Sequence, residues 1–517
     1  MTEATSTSAP AMLPVLGVQN RTDWLIDNAE TYARLLQALR GARRSIRIAQ
    51  LAFDFDCLAY ASGAAFDALP RDVVIAETLI ARATAGGPGI QILLNASWLL
   101  NTARSLRRAF ARRGIASERI QVRGFNRFPH FMHAKLVIVD SHEAFLLGSP
   151  FVNSYWDDAR HAPIDARRPL RELGGRPLHD VSSHLRGPVV RDLEAMFASV
   201  WSSAGAGRAS TPARRPRAIR SCAAPSTPGT RIVCDAPDGV LPELAAGSTM
   251  MLRELLDAIA SARSFIYVEH QYLTSRPIVA ALAAALRREP ALEIIIVLNQ
   301  NPDLTAYRGW QNERLAEHRL LLHPRVGVFA LWSVDEHPEH AGVARINQLF
   351  IHSKVIVIDD RWAAVGTSNL DGISMGDYGD DFAGSLCRRI FRGVRNVEVN
   401  VVMDAGDDDM NEIRVLRERL WLEHVGAPAH ASGGGLLAAW FAAARENVRM
   451  LAGGDDGSDA TPARRMIGHL LPYSERAEPR EQLADLGIRV NPHELVLCYN
   501  PGWIEVHAAV HWIRNIF

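Results

Sequence analysis

Lysine is nearly absent from this chain, and the two exceptions constrain it more than any other feature. Of 57 basic residues among 517, only Lys135 and Lys354 are lysine; the rest are arginine. Arginine-heavy usage follows from base composition alone, but a retained lysine marks a place that wants a compact ammonium on a thin stem and not a planar guanidinium. Both lysines stand in one pattern. HFMHAKLVIVD carries His133, Lys135 and Asp140, and FIHSKVIVIDD carries His352, Lys354 and Asp359, every member displaced by 219 residues. Each copy runs into a short apolar stretch and a small-residue turn, Gly148 and Ser149 in the first, Gly366, Thr367 and Asn369 in the second. A repeated motif that uses every lysine in the chain demands a fold built twice.

The flanks repeat as well. A helix through TYARLLQALRGA, a strand SIRIAQLAFDF, a helix near 74 to 86, a strand IQILLN, a helix near 102 to 113 and a strand RIQV precede the first copy. MLRELLDAIASA, SFIYVEHQYL, a helix, EIIIVLN, another helix and VGVFALW precede the second. Buried strands alternating with amphipathic helices predict an α/β fold. Each half is expected to be a sandwich lobe, a mixed sheet flanked by helices, with the two lobes related by pseudo-twofold symmetry. The expected organisation is a disordered leader over 1–20, a first lobe over 21–201, a Pro-, Ala-, Ser- and Arg-rich linker over 202–231, a second lobe over 232–430, and a helical C-terminal appendage over 431–517.

Composition excludes several classes. With 57 acidic residues balancing 57 basic ones, the chain has no excess positive charge for a polyanion, which argues against a stable nucleic-acid partner. The longest apolar runs, IVAALAAAL and LLAAWFAAA, are half the roughly 18 residues of a transmembrane helix. Five scattered cysteines, Cys57, Cys222, Cys234, Cys387 and Cys498, suggest neither a disulfide framework nor a zinc cluster.

On an extended strand side chains alternate, so His133 and Lys135 share a face while Asp140 has the opposite parity. Asp140 and Asp359 are therefore assigned structural work at strand ends. One imidazole and one ammonium from each half, brought together by the pseudo-twofold, suit a phosphodiester anion. The lysines would stabilise the phosphoryl oxygens, with Ser149, Asn153, Thr367 and Asn369 as further ligands, and no metal or other cofactor is called for. One neutral histidine can attack phosphorus while the other, protonated, serves the leaving alkoxide.

The duplicated HxKxxxxD pattern resembles the signature of the phospholipase D superfamily, over roughly residues 20 to 450. The resemblance implies a two-step reaction through a phosphohistidine, with His133 as the nucleophile and His352 as the general acid, although sequence alone does not order them. It also implies a carboxylate on the far nitrogen of each histidine. Asp180, in PLHDVSSHLRGP, stands 47 residues beyond His133, and Glu398, in RNVEVNVVM, stands 46 beyond His352; the near-equal spacing selects Glu398 over the competitor Asp380. YVEHQYL around Gln271 and Tyr272, SYWDDARH around Asp157, and LRERLWLEHVG around Glu423 and His424 look like enzymes acting on diacyl phospholipids, closest to bacterial phospholipase D and phosphatidyltransferase-like members. The turn after the first motif, with Pro150 and Phe151 before Asn153, departs from the family's usual GG or GSxN.

The expected activity is phospholipase D-type cleavage of the distal phosphodiester bond of glycerophospholipids, with transfer to an alcohol possible. The alternatives are a cardiolipin synthase-like phosphatidyltransferase, a nuclease and an inactive lipid-binding homologue. The expected partner is membrane phospholipid at the bilayer surface. The chain is expected to act as a monomer whose halves form an intramolecular pseudo-dimer, in the cytoplasm or peripherally on a membrane, with export independent of a signal peptide left open. Three features are read as incidental: the run Asp407 to Asp409, the arginines near 214 to 220, and the other sixteen histidines, including His318 and His323 in the helix expected before VGVFALW, which show no metal-ligand spacing.

Overall fold

Alternating apolar strands and amphipathic helices build two sheets with the same internal order. In the computed structural model the described residues are 20–59, 73–96, 102–168, 175–205, 229–241, 248–340, 343–378, 382–391, 393–405, 412–426, 435–452, 465–490 and 494–497. The first lobe runs β1 (Arg21–Ile26), α1 (Asp27–Gly41), β2 (Ser45–Gln50), α2 (Ile75–Thr84), β3 (Gly89–Asn95), α3 (Thr102–Arg112), β4 (Ile120–Phe125), β5 (Phe131–Met132), β6 (Leu136–Val139), β7 (Glu143–Leu146), β8 (Leu178–His179), β9 (Val181–Arg186) and α4 (Val189–Gly205). The second runs β10 (Gly229–Asp235), α5 (Met250–Ser261), β11 (Phe265–His270), α6 (Arg276–Arg288), β12 (Glu293–Leu298), α7 (Thr305–Glu317), β13 (Val326–Glu336), β14 (Ala344–Gln348), β15 (Phe350–Ile351), β16 (Lys354–Ile358), β17 (Trp362–Gly366), α8 (Gly372–Met375), α9 (Phe382–Phe391), β18 (Asn396–Asp404) and α10 (Glu412–Val425).

The first sheet has the order β1-β9-β7-β6-β2-β3-β4, and the second opens with β10-β18-β17-β16-β11-β12-β13. Strand by strand these are the same list. In both, three parallel strands (β2, β3, β4 and β11, β12, β13) adjoin an antiparallel motif strand, β6 or β16. The motif strands are buried along their whole length, which is why LVIV and VIVI read as continuous rather than alternating apolar runs.

Asp140 and Asp359 sit where the strand-end reading puts them. The Asp140 carboxylate accepts from the backbone N–H groups of Arg43, Arg44 and Ser45 at 2.6 to 2.9 Å, and Asp359 accepts from Arg263, Ser264 and Phe265 at 2.7 to 2.8 Å. Both aspartates occupy left-handed backbone, with φ of 54° and 55°. Three backbone donors hold the Asp140 carboxyl below its ordinary pKa against the opposing pull of burial. Each aspartate thus clamps the start of its neighbouring strand and takes no place beside the motif histidine.

One apolar core joins the lobes: Leu93, Leu136, Leu185 and Phe197 of the first pack in a cluster with Val355, Val397 and Trp421 of the second. Fully burying such side chains contributes about 1.5–3 kcal/mol each. The C-terminal region differs from a purely helical appendage. It does supply α11 (Leu436–Ala452) and α12 (Pro479–Asp485), but β19 (Leu470–Pro472) pairs with β13 and β20 (Leu495–Leu497) pairs with β14, so it extends the second sheet. α4 runs to Gly205, past the expected lobe end. His318 and His323 lie just beyond α7 and not within it. The leader up to residue 19, linker residues 206–228, Asp380, Asp407 to Asp409, Cys222 and Cys498 lie outside the described residues. Among the described residues no helix is long and apolar enough to cross a membrane.

Candidate active site

Two short strand pairings carry the motifs across the boundary between lobes. β5, just before His133, pairs in parallel with the start of β18, and β15, just before His352, pairs in parallel with β8. The His133 N–H donates to Val397 O at 3.1 Å, and the His352 N–H donates to His179 O at 2.8 Å. Each acceptor is the residue immediately before a candidate carboxylate, so each histidine is delivered to the acid of the opposite lobe.

That crossing corrects the sequence-based pairing. His133 Nδ1 lies 2.8 Å from Glu398 Oε2, and His352 Nδ1 lies 2.8 Å from Asp180 Oδ2. Asp180 therefore serves His352, and Glu398 serves His133. Both carboxylates are fully buried and held below the ordinary range. Burial pushes them up, but the facing imidazoles and lysines outweigh it. A permanent anion on Nδ1 fixes each neutral ring with its proton there and its Nε2 lone pair free.

The lysines are buried too. Lys135 Nζ donates to His133 O at 3.0 Å and lies 3.4 Å from His133 Nε2, and Lys354 Nζ donates to His352 O. Burial, then repulsion from Lys354, brings Lys135 down to about 7; burial brings Lys354 down to about 8 even though Asp180 and Glu398 oppose it. Burial and Lys354 drive His352 down to about 3, and burial lowers His133 against the pull of Glu398. The ammoniums and carboxylates of the two lobes thus feel one another, as they must in a single site.

With neutral rings, two ammoniums and two carboxylates, the site carries no net charge. A phosphodiester adds one negative charge, which a single proton on one imidazole offsets. Binding the anion therefore favours one neutral and one protonated histidine, the pair that nucleophilic attack with leaving-group protonation requires.

The four polar residues expected as phosphoryl ligands divide. Ser149 Oγ donates to Asp180 Oδ2, and Thr367 Oγ1 donates to Glu398 Oε2 at 2.6 Å. These hydroxyls are spent on the carboxylates, because the turns carrying them run beneath the acids. Asn153 is a loop clamp: its Oδ1 accepts from Leu58 N at 2.8 Å and its Nδ2 donates to Asp56 O. Asn369 alone keeps the expected character, 7% exposed with Oδ1 unbonded. Gly148 and Gly366 are required by close approach. A Cβ on Gly148 would lie 2.0 Å from Asp180 Oδ1, and one on Gly366 2.3 Å from Asn400 Oδ1.

Several positioning residues were not anticipated. Ser374 Oγ and Asn396 Nδ2 donate to Glu398 Oε1 at 2.8 and 3.1 Å. The Tyr155 ring packs edge-on against His352 at 5.0 Å. His270, paired in register with Lys354, is buried and pushed down to about 3 by burial and that lysine. Its place beside a motif strand in YVEHQYL was the available signal.

The chain is similar to several known proteins. Residues 255–382 match the family described as cardiolipin synthase, PLD-like domain. The chain is 26% identical over 166 residues to phospholipase D of Phytophthora infestans, covering 25% of this chain and 9% of that protein. It is 25% identical over 390 residues to cardiolipin synthase A of Pseudomonas entomophila (strain L48), covering 72% of this chain and 67% of the relative. The chain thus spans a small part of the first relative and about two thirds of the second. The crystal structure of phosphatidylserine synthase from Haemophilus influenzae Rd KW20 superposes with a TM-score of 0.54 at 10% identity, covering 97% of this chain and 98% of that one, which shows a shared fold.

Proposed function

Because the chain belongs to the phospholipase D superfamily, we propose that it transfers the phosphatidyl group of a glycerophospholipid to an alcohol, with water as the competing acceptor. The sequence alone favoured hydrolysis. The names of the Pseudomonas and Haemophilus relatives move the preference to transfer.

The observation that carries the reading is the crossed geometry, an imidazole from each lobe seated on a buried carboxylate of the other, with two buried ammoniums alongside. His133, whose side chain is 14% exposed against 5% for His352, is the nucleophile. Its Nε2 attacks phosphorus as the bond to the head-group oxygen breaks, and His352 gives that oxygen its proton. In the second step His352 takes the proton of the acceptor alcohol, whose oxygen attacks phosphorus as the P–N bond breaks. Lys135 and Lys354 hold the non-bridging oxygens throughout.

Exposed apolar side chains near the first motif support a lipid surface. Phe128 is half-exposed, as are Leu386 and Ile390 of α9, and Arg395 links the two segments by stacking on Phe131 and Phe391 while donating to Pro129 O.

The test uses phosphatidylglycerol vesicles. The protein should release glycerol and form a diphosphatidyl product, with phosphatidic acid as the minor product, and His133→Ala and His352→Ala should each abolish both. Cleavage of DNA with no turnover of vesicles would overturn the lipid reading.

A further inference from the structure

The motifs left unused by this chemistry, SYWDDARH, LRERLWLEHVG, the His of PLHD and the Glu of YVEHQYL, converge on one buried cluster behind the active site. His179 Nδ1 lies 2.9 Å from Glu423 Oε1 and 3.1 Å from Asp27 Oδ1. His161 Nε2 lies 3.2 Å from Glu423 Oε1 and 3.4 Å from Asp27 Oδ2. One ligand atom from each of these four residues falls within 4.8 Å of every other.

We propose that Asp27, His161, His179 and Glu423 bind one divalent ion of the zinc class, which ties α1 and β8 of the first lobe to α10 of the second. Ligands about 2.0–2.1 Å from a tetrahedral zinc stand about 3.3–3.4 Å from one another, close to the four histidine-to-carboxylate separations of 2.9, 3.1, 3.2 and 3.4 Å. Two imidazole nitrogens and two carboxylates form a donor set suited to zinc.

Three further observations point to an ion. First, a carboxylate stands near the outer nitrogen of each histidine: His161 Nδ1 is hydrogen-bonded to Asp157 Oδ2 at 3.1 Å, and His179 Nε2 lies 3.0 Å from Glu269 Oε1 without hydrogen-bond geometry. Metal-bound histidines carry such partners, which orient the ring and raise its basicity. Secondly, His179 is fully buried and Asp27 is 2% exposed, yet His179 Nδ1 and Asp27 Oδ2 make no contact of hydrogen-bond geometry. Thirdly, Asp27 and Glu423 line a cleft of about 680 Å³ that opens to the surface, which gives an ion an entry path.

The site is structural with respect to transfer. His179 precedes Asp180, the acid beneath His352, so an ion here would fix the segment that positions one imidazole without touching phosphorus. The inference does not depend on the proposed activity.

The test is zinc binding by the full chain after chelator dialysis, read by metal analysis, equilibrium titration and thermal unfolding. One zinc per chain is expected, with a rise in the unfolding temperature. Glu423→Gln and His161→Gln should each weaken binding at least about 100-fold, whereas Asp157→Asn should weaken it 10- to 100-fold. His133→Ala should bind zinc like the unmodified chain, which separates this site from the catalytic imidazoles. If the ligand variants do not fold, cobalt(II) added to the unmodified chain decides the matter. Tetrahedral visible bands support the site, and their absence overturns it. Zinc uptake well below one equivalent, or affinity unchanged in Glu423→Gln and His161→Gln, also overturns it and leaves a cluster neutralised by two protonated rings.

Discussion

Replacing Lys135 with Met should make the protein more stable and nearly inactive. Lys135 is fully buried and its pKa is brought from the usual 10.5 to about 7, first by burial and then by Lys354. The protonated form is therefore disfavoured by folding. The penalty is complete below about pH 7 and fades as the pH rises toward 10.5. At 1.36 kcal/mol per pH unit, it amounts to about 4 kcal/mol at pH 7 and about 2 kcal/mol at pH 9. Met removes it but forfeits the 3.0 Å hydrogen bond to His133 O, worth about 1.5–3 kcal/mol while the group is charged and about 0.5–1.5 kcal/mol once it is a neutral amine at pH 9. The net gain is about 2 kcal/mol at pH 7, falling to about 1 kcal/mol at pH 9. Denaturant unfolding of both proteins at the two pH values measures it, and vesicle turnover should fall by about 10²–10³ as the oxyanion stabiliser is lost. A variant less stable than the parent at pH 7, or a stability difference unchanged between pH 7 and 9, would refute the assignment of a buried, strained ammonium.

Asp180→Asn and Glu398→Gln should each lower vesicle turnover by about 10²–10⁴, since either change removes the anion that fixes a ring; the reasoning fails if both variants turn over within threefold of the parent. Lys354→Arg should be severely impaired, because a planar guanidinium does not fit where the compact ammonium donates to His352 O, and turnover near the parental rate would contradict the meaning given to lysine scarcity. In the free enzyme the ammoniums lose their protons as the pH rises through about 7 to 8, so kcat/KM should decline on the alkaline side from there; a profile level to pH 9.5 would show that they are not needed charged.

Much of this architecture was legible because duplication leaves a countable trace. Two lysines in one pattern located the motif residues, and the repeated flanks predicted sheets whose strand orders match. The crossing of the acids was not legible. A symmetric exchange of Asp180 and Glu398 leaves their spacings of 47 and 46 residues unchanged, so spacing cannot say which lobe an acid serves. Nor could the strand pattern show that the Ser149 and Thr367 hydroxyls are turned onto the carboxylates, since the turn geometry decides it. β19 and β20 span three residues each, too short for any periodicity to register. The buried cluster of Asp27, His161, His179 and Glu423 draws its members from four distant segments, and so escaped a search for close ligand spacing.

Rapid quenching during turnover of phospholipid labelled at phosphorus, followed by peptide mapping, examines the shared site most directly. The account requires a single acid-labile phosphoryl adduct per chain, on one motif histidine, absent when the acid contributed by the other lobe is amidated. Adducts forming on His133 and His352 together, at two per chain, would mean that the lobes work as separate centres.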